Sequence, residues 1–247
     1  ETNRKDVYRK ALCLLIPAVG LAFLLWYIKN ATCDVVYSDY IRLVNSYLPD
    51  VYDPDRFFVP DVLTRIPINY LGRIINVELF GFSITFDRVL GAVSTALAAW
   101  VFGLYFIRHK LGSIWFFLIM AVTFSLNQWE MLTNGSGWSH FFAFACFYYH
   151  ELGFDRVWTG QEKKGDTLRM ILLPVLIILG TAGPYCAIYA VVMILASAAG
   201  IVRDLWRKKQ KQSECSALEG EEGLGFKGDF RRYLAFLFAV LIPLLLY

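Results

Sequence analysis

The feature that most constrains this chain is a succession of long apolar stretches, separated by short polar or basic segments. An apolar stretch of about 20 residues can cross a bilayer as a helix, because every backbone hydrogen bond is then made inside the helix. Hydrophobic residues make up 57% of the 247 residues and charged residues only 18%. This balance excludes an ordinary soluble domain and predicts an all-α, polytopic transmembrane helical bundle.

Seven spans can be drawn in this bundle, several of them short. The apolar run from Leu168 to Val202 is too long for one helix, and the turn at Gly180–Pro184 divides it into two antiparallel spans. The other spans are 11–28, 88–107, 111–126, 140–152 and the stretch that begins at Tyr233. The sequence stops within that last stretch, so we expect residues 1–247 to form one transmembrane module of a longer chain.

The basic residues predict which side of the membrane each connection occupies. Lys and Arg cluster before the first span, at 108–110, in 156–169 and after Arg203, whereas the connections 127–139 and 180–184 contain neither residue type. Since cytoplasmic connections carry the excess of Lys and Arg, the N-terminus is predicted to be cytoplasmic. The segment 29–87 then becomes a large first outer loop, and 203–232 becomes a cytoplasmic loop.

The outer loop is predicted to contain two helices that lie along the membrane interface. From Tyr37 onward, the apolar residues follow helical spacing, which indicates a helix over 38–48 with a polar opposite face. A second amphipathic pattern follows Pro67, a residue suited to the first turn of a helix, and indicates a helix over 67–78. Such helices place their polar faces toward water or neighbouring protein.

Two carboxylates are predicted to lie at the outer surface of the membrane. Asp39 is near the start of the first interfacial helix. Glu130 follows the third span, close to two tryptophans and a glycine-rich turn. Acids at such positions are costly unless they are paired or used. The plainer alternatives are that Asp39 pairs with Arg42 at i,i+3 and that Glu130 faces water above the span.

This arrangement resembles the GT-C superfamily of membrane glycosyltransferases. The matching features are a cytoplasmic N-terminus, an Asp-bearing helix after the first span in a large outer loop, and a second acidic motif after a later short span. The segments Tyr37–Tyr40 and Gln128–Glu130 are similar to those of bacterial members. The chain departs from the family in having no adjacent acidic pair in the first loop, because Asp34 and Asp39 are five residues apart.

The resemblance implies transfer of a sugar from a polyprenyl-phosphate donor to a glycan, lipid or protein acceptor at the outer face of the plasma membrane, as in cell-envelope synthesis. An attacking hydroxyl needs a carboxylate as general base, for which Asp39 is the first candidate and Asp34 the alternative. Glu130 would position the acceptor or help to bind a metal. Whether a divalent cation, Mg²⁺ or Mn²⁺, takes part is left open.

The leaving lipid phosphate would be stabilised by arginine side chains. Arg42, Arg65 and Arg73 are the candidates, although each could instead pair with a loop aspartate or extend to lipid phosphates. His140, at the start of the fourth span, could join the cluster or serve as a hydrogen-bonded packing residue.

Other classes of function have weaker support in the sequence. The five cysteines contain no CxxC pair, which argues against a thiolate metal site. No phosphate-binding glycine motif or nucleotide fold is visible, which argues against a nucleotide-sugar donor. The basic residues lie in short connections on one side, so they indicate topology rather than nucleic acid, and we expect membrane lipids as partners. The main alternative is a non-catalytic transporter or lipid-binding assembly protein. Transporters place ionisable residues at the bilayer midplane, whereas the acids here are predicted at the outer surface.

Overall fold

The computed structural model of the chain describes residues 2–48, 51–55, 67–161, 163–181, 183–215 and 230–247. The regular structure in these ranges is helical, without strands, as the sequence predicts. The α-helices are α1 (Thr2–Ala31), α2 (Asp39–Tyr47), α3 (Pro67–Phe80), α4 (Ile84–His109), α5 (Ser113–Thr123), α6 (Trp129–Asn134), α7 (Trp138–Trp158), α8 (Asp166–Leu176), α9 (Cys186–Cys215) and α10 (Phe230–Leu246).

Three helices in the described ranges are long and apolar enough to cross a membrane. They are Asp6–Ala31 within α1, Ile84–His109, and Cys186–Gln210 within α9. The predicted third span is shorter than expected, because α5 has 11 residues and extends only about 16 Å at 1.5 Å per residue. The structure therefore supports a membrane protein with three spanning helices and leaves the count of seven as a prediction.

The chain forms two compact units, of which the first comprises Glu1–Leu152 with Gly180–Pro184. Its frame is the pair α1 and α4, whose backbones approach closely where Gly103 lies against Cys13. A Cβ added at Gly103 would come within 2.5 Å of the Cys13 carbonyl oxygen. Nearby, the Trp100 indole donates a hydrogen bond of 3.0 Å to the Leu14 carbonyl. Small residues thus permit a close helix crossing, as expected from the Gly- and Ala-rich sequence of α4.

The two predicted helices of the 29–87 segment are both present. The first is one residue shorter at each end than the predicted 38–48, and the second continues two residues beyond the predicted end at 78. In α3, the buried face carries polar side chains, with Asn69, Arg73 and Asn76 all at most 4% exposed. Arg73 bonds to Asp87, and the Asn76 amide bonds to the backbone of Ser83, so this buried polar face of α3 takes part in an internal hydrogen-bonded site.

Two segments predicted as loops contain helix instead. In 127–139, a 3₁₀ turn at Leu126–Gln128 leads directly into α6, and α7 begins at Trp138. In 203–232, α9 continues to Cys215 and α10 begins at Phe230. In the second of these segments, the charged residues after Arg203 continue α9, because Arg, Lys and Gln are good helix formers.

The second unit comprises Gly153–Leu179 and Tyr185–Tyr247. The predicted break in the long apolar run is confirmed, since a π-helical turn at Ile177–Thr181 and a 3₁₀ turn at Gly183–Tyr185 separate α8 from α9. Arg203 fixes one end of this unit. Its guanidinium lies 3.6 Å from the centre of the Trp158 ring and donates a 2.8 Å hydrogen bond to the Tyr233 hydroxyl.

The turn between α7 and α8 is closed by a buried aspartate in the second unit. Asp166 accepts two hydrogen bonds from Arg156, at 2.7 and 2.8 Å, and a third at 2.7 Å from the backbone N–H of Lys163. The hydrogen bonds from Arg156 hold the pKa of the Asp166 carboxyl below its ordinary value. Asp166 therefore acts as an ionised anchor of this turn.

Candidate functional site

The two acid-bearing segments that the sequence predicts at the same membrane surface lie side by side in the first unit. The Ser38 hydroxyl donates a hydrogen bond of 2.8 Å to Oε1 of Glu130. The Tyr37 and Thr133 hydroxyls are 2.6 Å apart. Asp39 follows Ser38 as the first residue of α2, and the side chains of both Asp39 and Glu130 are exposed. Two carboxylates are therefore presented to solvent or substrate from one surface.

Ser38 has a strained backbone at the centre of this surface. Its φ of 56° and ψ of −143° lie in a region that residues with a side chain rarely occupy. Such a conformation costs on the order of 1–3 kcal/mol and persists only where the surroundings impose it. Here Tyr37, which precedes Ser38, and Tyr40, two residues after it, are both fixed by hydrogen bonds to other elements. The strain sets the direction in which α2 begins, and with it the position of Asp39.

Beneath the surface, three buried side chains from three helices bind one another. Arg73 of α3 donates hydrogen bonds of 2.7 Å to Oδ2 of Asp87 and to the Tyr40 hydroxyl. The Tyr40 hydroxyl in turn donates to the same oxygen of Asp87. The guanidinium also lies 4.7 Å from the centre of the Tyr40 ring. Because all three side chains are at most 2% exposed, we call Tyr40, Arg73 and Asp87 the buried triad.

Burial in the triad makes the Tyr40 hydroxyl harder to deprotonate than that of an ordinary tyrosine. Burial is the main cause that raises the pKa of the Tyr40 hydroxyl above its ordinary value. The hydroxyl therefore keeps its proton at neutral pH and remains a donor toward Asp87. Since Tyr40 follows Asp39 in the chain, the triad anchors the first turn of α2 from below.

Arg88, the residue after Asp87, joins the two acid-bearing segments directly. Its guanidinium donates hydrogen bonds to the Thr133 carbonyl at 2.5 Å and to the Cys33 carbonyl at 3.1 Å. Thr133 lies three residues after Glu130, and Cys33 precedes Asp34. Arg88 is 2% exposed, so a single buried cation holds both segments against the start of α4.

Gly135 allows the turn between α6 and α7 to approach the buried triad. Its φ is +80°, and an added Cβ would lie 3.2 Å from both the Asp87 Cβ and the Tyr40 ring. Only glycine combines this backbone conformation with so little space. The glycine-rich turn after Glu130 is thus a packing requirement of the site.

The other predicted site residues differ in how exposed they are and in how much of each the structure describes. Asp34 is exposed on the segment between α1 and α2, and His140 is half-buried in the first turn of α7. Arg42 belongs to α2, but its side chain lies outside the described part, as does Arg65 as a whole. Arg73 is buried against Asp87, the pairing with a loop acid that the sequence left as its alternative. Its guanidinium is buried and bonded to Tyr40 and Asp87.

The described residues contain no group of three or more His, Cys, Asp or Glu that could hold a metal ion. The side chains described there do not fit the several oxygen ligands that a divalent cation needs from protein groups alone. We therefore derive the chemistry below from the side chains.

Asp87, Arg88 and Tyr40 were not among the residues predicted for the site. A signal for the first two was present, because Asp87 and Arg88 are adjacent charges at the edge of a long apolar stretch, where unpaired charge is costly. The predicted boundary between the outer loop 29–87 and the span 88–107 fell between these two residues, so they were not considered together.

Comparisons with protein-family models, with curated proteins and with solved structures found no match for this chain. The functional argument therefore depends on the site itself.

Proposed function

We propose that this protein is a membrane glycosyltransferase that transfers a sugar from a polyprenyl-phosphate donor to an acceptor hydroxyl at the outer face of the plasma membrane. The observation that carries the proposal is the hydrogen bond between Ser38 and Glu130. It joins two acid-bearing segments, 92 residues apart in sequence, into one exposed surface that includes the start of α2. A surface of this kind beside membrane-spanning helices suits a reaction on a lipid-linked substrate.

The proposed topology places this surface outside. The N-terminus is cytoplasmic, and the shorter apolar helices α5, α7, α8 and α10 complete the seven spans. The distribution of Lys and Arg supports this orientation, because the connection that bears Glu130 contains neither residue type. The helices α2 and α3 then lie at the level of lipid phosphates.

In the proposed reaction, Asp39 is the general base. The acceptor hydroxyl attacks the anomeric carbon, its proton passes to the Asp39 carboxylate, and the bond from that carbon to the phosphate oxygen breaks. The electron pair of this bond leaves with the polyprenyl phosphate. Glu130 accepts a hydrogen bond from Ser38 through one oxygen and can orient the acceptor through the other.

The arginines take different parts in this proposal. Arg73 and Arg88 are positioning residues, since both are buried and bound to protein groups. Stabilisation of the leaving phosphate falls to Arg42 or Arg65, as charge-assisted hydrogen bonds to a developing anion are the stronger kind.

The proposal is tested by replacing each acid with its amide. Asp39→Asn keeps the shape of the side chain but cannot accept the proton, so transfer should fall by roughly 10²–10⁴-fold. Glu130→Gln should lower transfer less, because positioning is partly retained. The assay follows consumption of polyprenyl-phosphate sugars in membranes with equal amounts of each variant.

Asp34→Asn is the matched control, since Asp34 is also an exposed acid in the segment between α1 and α2. It should transfer as the parent does. If Asp34→Asn is inactive while Asp39→Asn is not, the site is correct and the base is Asp34. If none of the three changes affects transfer, the enzyme proposal fails and a non-catalytic lipid-binding or transport role takes its place.

A further inference from the structure

The first unit contains a cavity of about 590 Å³ between α4, α5 and α7. This volume lies within the range of roughly 300–1,000 Å³ that is usual for ligand sites. None of its lining side chains in the described part is charged. Most of the wall is apolar, and it includes Ala98, Phe102, Ile119, Phe141 and Phe144. Such a wall suits an uncharged hydrocarbon ligand.

The cavity is polar at one end. Ser125, Asn127 and Gln128 line it just beyond the C-terminal end of α5. A smaller adjoining cavity shares Ser125 and Gln128 and is also lined by Trp129, the residue before Glu130. The wall of the cavity therefore extends to within two residues of Glu130 along the chain, and a ligand that fills the apolar space would place its polar end toward Asn127 and Gln128.

The outer rim of the cavity is exposed and apolar. Trp115, Leu118 and Val122 of α5 are 63%, 50% and 74% exposed, respectively. They belong to a helix that packs against the candidate span Ile84–His109. In the proposed topology, the medium that surrounds this helix is hydrocarbon. A lipid chain can therefore enter sideways from the bilayer without crossing water.

We propose that this cavity binds the isoprenoid chain of the lipid-phosphate donor, with the phosphate toward Asn127 and Gln128. This inference rests on the proposed function and assigns the lipid part of its substrate to a defined site. From Trp115 to Thr123, α5 rises about 12 Å, so the cavity holds the segment of chain next to the phosphate, and the remainder stays in the bilayer.

The shape of the wall favours an isoprenoid over a straight acyl chain. Five aromatic rings line the cavity, from Phe102, Trp115, Phe141, Phe144 and Tyr148. A chain with methyl branches and planar double bonds makes more contacts with such flat, stiff walls than a thin saturated chain does. Because dispersion contacts are lost when a gap remains, the wider chain binds better.

The test uses the full chain in phosphatidylcholine nanodiscs and geranylgeranyl phosphate that carries a diazirine in its second isoprene unit, within the segment that the cavity is proposed to hold. After photolysis, mass spectrometry locates the labelled residues. Saturable labelling is expected at the cavity wall, on the α4 segment around Phe102, on α5 and on the α7 segment around Phe144. Unlabelled geranylgeranyl phosphate should compete, whereas hexadecyl phosphate, with the same headgroup and a straight chain, should compete weakly.

Two variants and one matched control test whether the labelling depends on this cavity. Ala98→Phe fills the inner wall, and Leu118→Trp narrows the rim at an exposed position where folding is not at risk. Each should lower labelling about tenfold, since added volume in a filled site must displace the chain. Phe117→Trp changes an equally exposed residue of α5 that does not line the cavity, and it should label as the parent does.

Labelling spread without saturation over all exposed apolar faces would mean bulk lipid and would overturn the proposal. Equal competition by hexadecyl phosphate would overturn the choice of an isoprenoid. The readout needs no sugar transfer, so the two proposals can fail separately. Labelling in the cavity without transfer from any sugar donor leaves the lipid site standing and refutes the glycosyltransferase. Sugar transfer that neither variant slows, together with no labelling in the cavity, refutes the lipid site and leaves the glycosyltransferase proposal standing.

Discussion

Removing Arg73 should destabilise the first unit far more than removing a surface arginine at the same ion-pair distance. In the parent protein, Arg73 is 2.7 Å from Asp87, and the two side chains are 2% and 1% exposed. Arg73→Met leaves the Asp87 carboxylate out of water with one strong donor, Tyr40. Breaking a buried pair in this way costs about 3–5 kcal/mol of unfolding free energy, because the remaining charge is uncompensated.

The matched control is Arg9→Met. Arg9 also lies 2.7 Å from its partner, Asp6, but these side chains are 18% and 38% exposed. Water and salt screen such a pair, so its loss should cost less than about 1 kcal/mol. Equilibrium unfolding in mixed detergent micelles measures both variants, with helicity followed by circular dichroism.

A triple replacement tests the reason as well as the size of the effect. Tyr40→Phe, Arg73→Met and Asp87→Leu together remove every polar group of the buried triad and keep its volume. Replacing a buried ion pair by apolar residues of similar size is often neutral, so this variant should be more stable than Arg73→Met alone. An Arg73→Met variant as stable as Arg9→Met would refute the claim that Asp87 depends on Arg73.

Two further predictions concern the turns of the two units. Gly135→Ala should lower stability more than Gly160→Ala, since both have a positive φ, of 80° and 70°, but only Gly135 lies against neighbouring side chains. The left-handed backbone alone accounts for roughly 1–2 kcal/mol, so an equal loss in both, measured by thermal unfolding, would contradict the packing argument. The pKa of Asp166 is lower in the folded protein than in the unfolded chain. Its ionised carboxylate therefore adds to the free energy of unfolding above the unfolded-state pKa of about 3.9, and this stabilisation is lost as the pH falls through the lower folded-state pKa. Asp166→Asn should therefore be less stable than the parent at pH 6, and the gap should close below about pH 4; a gap that persists in acid would show that the charge of Asp166 does not matter.

The local pattern of the sequence was enough to predict most helices. The apolar spacing after Tyr37 and the Pro67 start gave α2 and α3 to within two residues, and the interruption near Gly180 was correct. These features depend on periodicity and turn chemistry, which a single sequence displays. Charge was less informative, because a charged stretch can continue a helix into water, as α9 does to Cys215.

The organisation of the candidate site could be predicted only in part. The proximity of the Asp39 and Glu130 segments followed from placing both at the same membrane surface, and the Ser38–Glu130 contact supports it. The inward position of Asp87 was not predicted, because the segment 29–87 contains several aspartates and the boundary drawn after Asp87 separated it from Arg88. Its pairing with Arg73 depends on tertiary packing, which local sequence patterns do not display.

The close crossing of α1 and α4 limits how the first unit can move. Where Gly103 touches the backbone of α1 and Trp100 bonds to Leu14, sliding one helix by a single residue would create a clash and break a hydrogen bond. By contrast, α5 buries only Phe116 and Met120. Opening motions should therefore be concentrated in α5, with α1 and α4 remaining fixed. In native-state hydrogen exchange, the amides of α5 should exchange well before those at the Gly103 crossing.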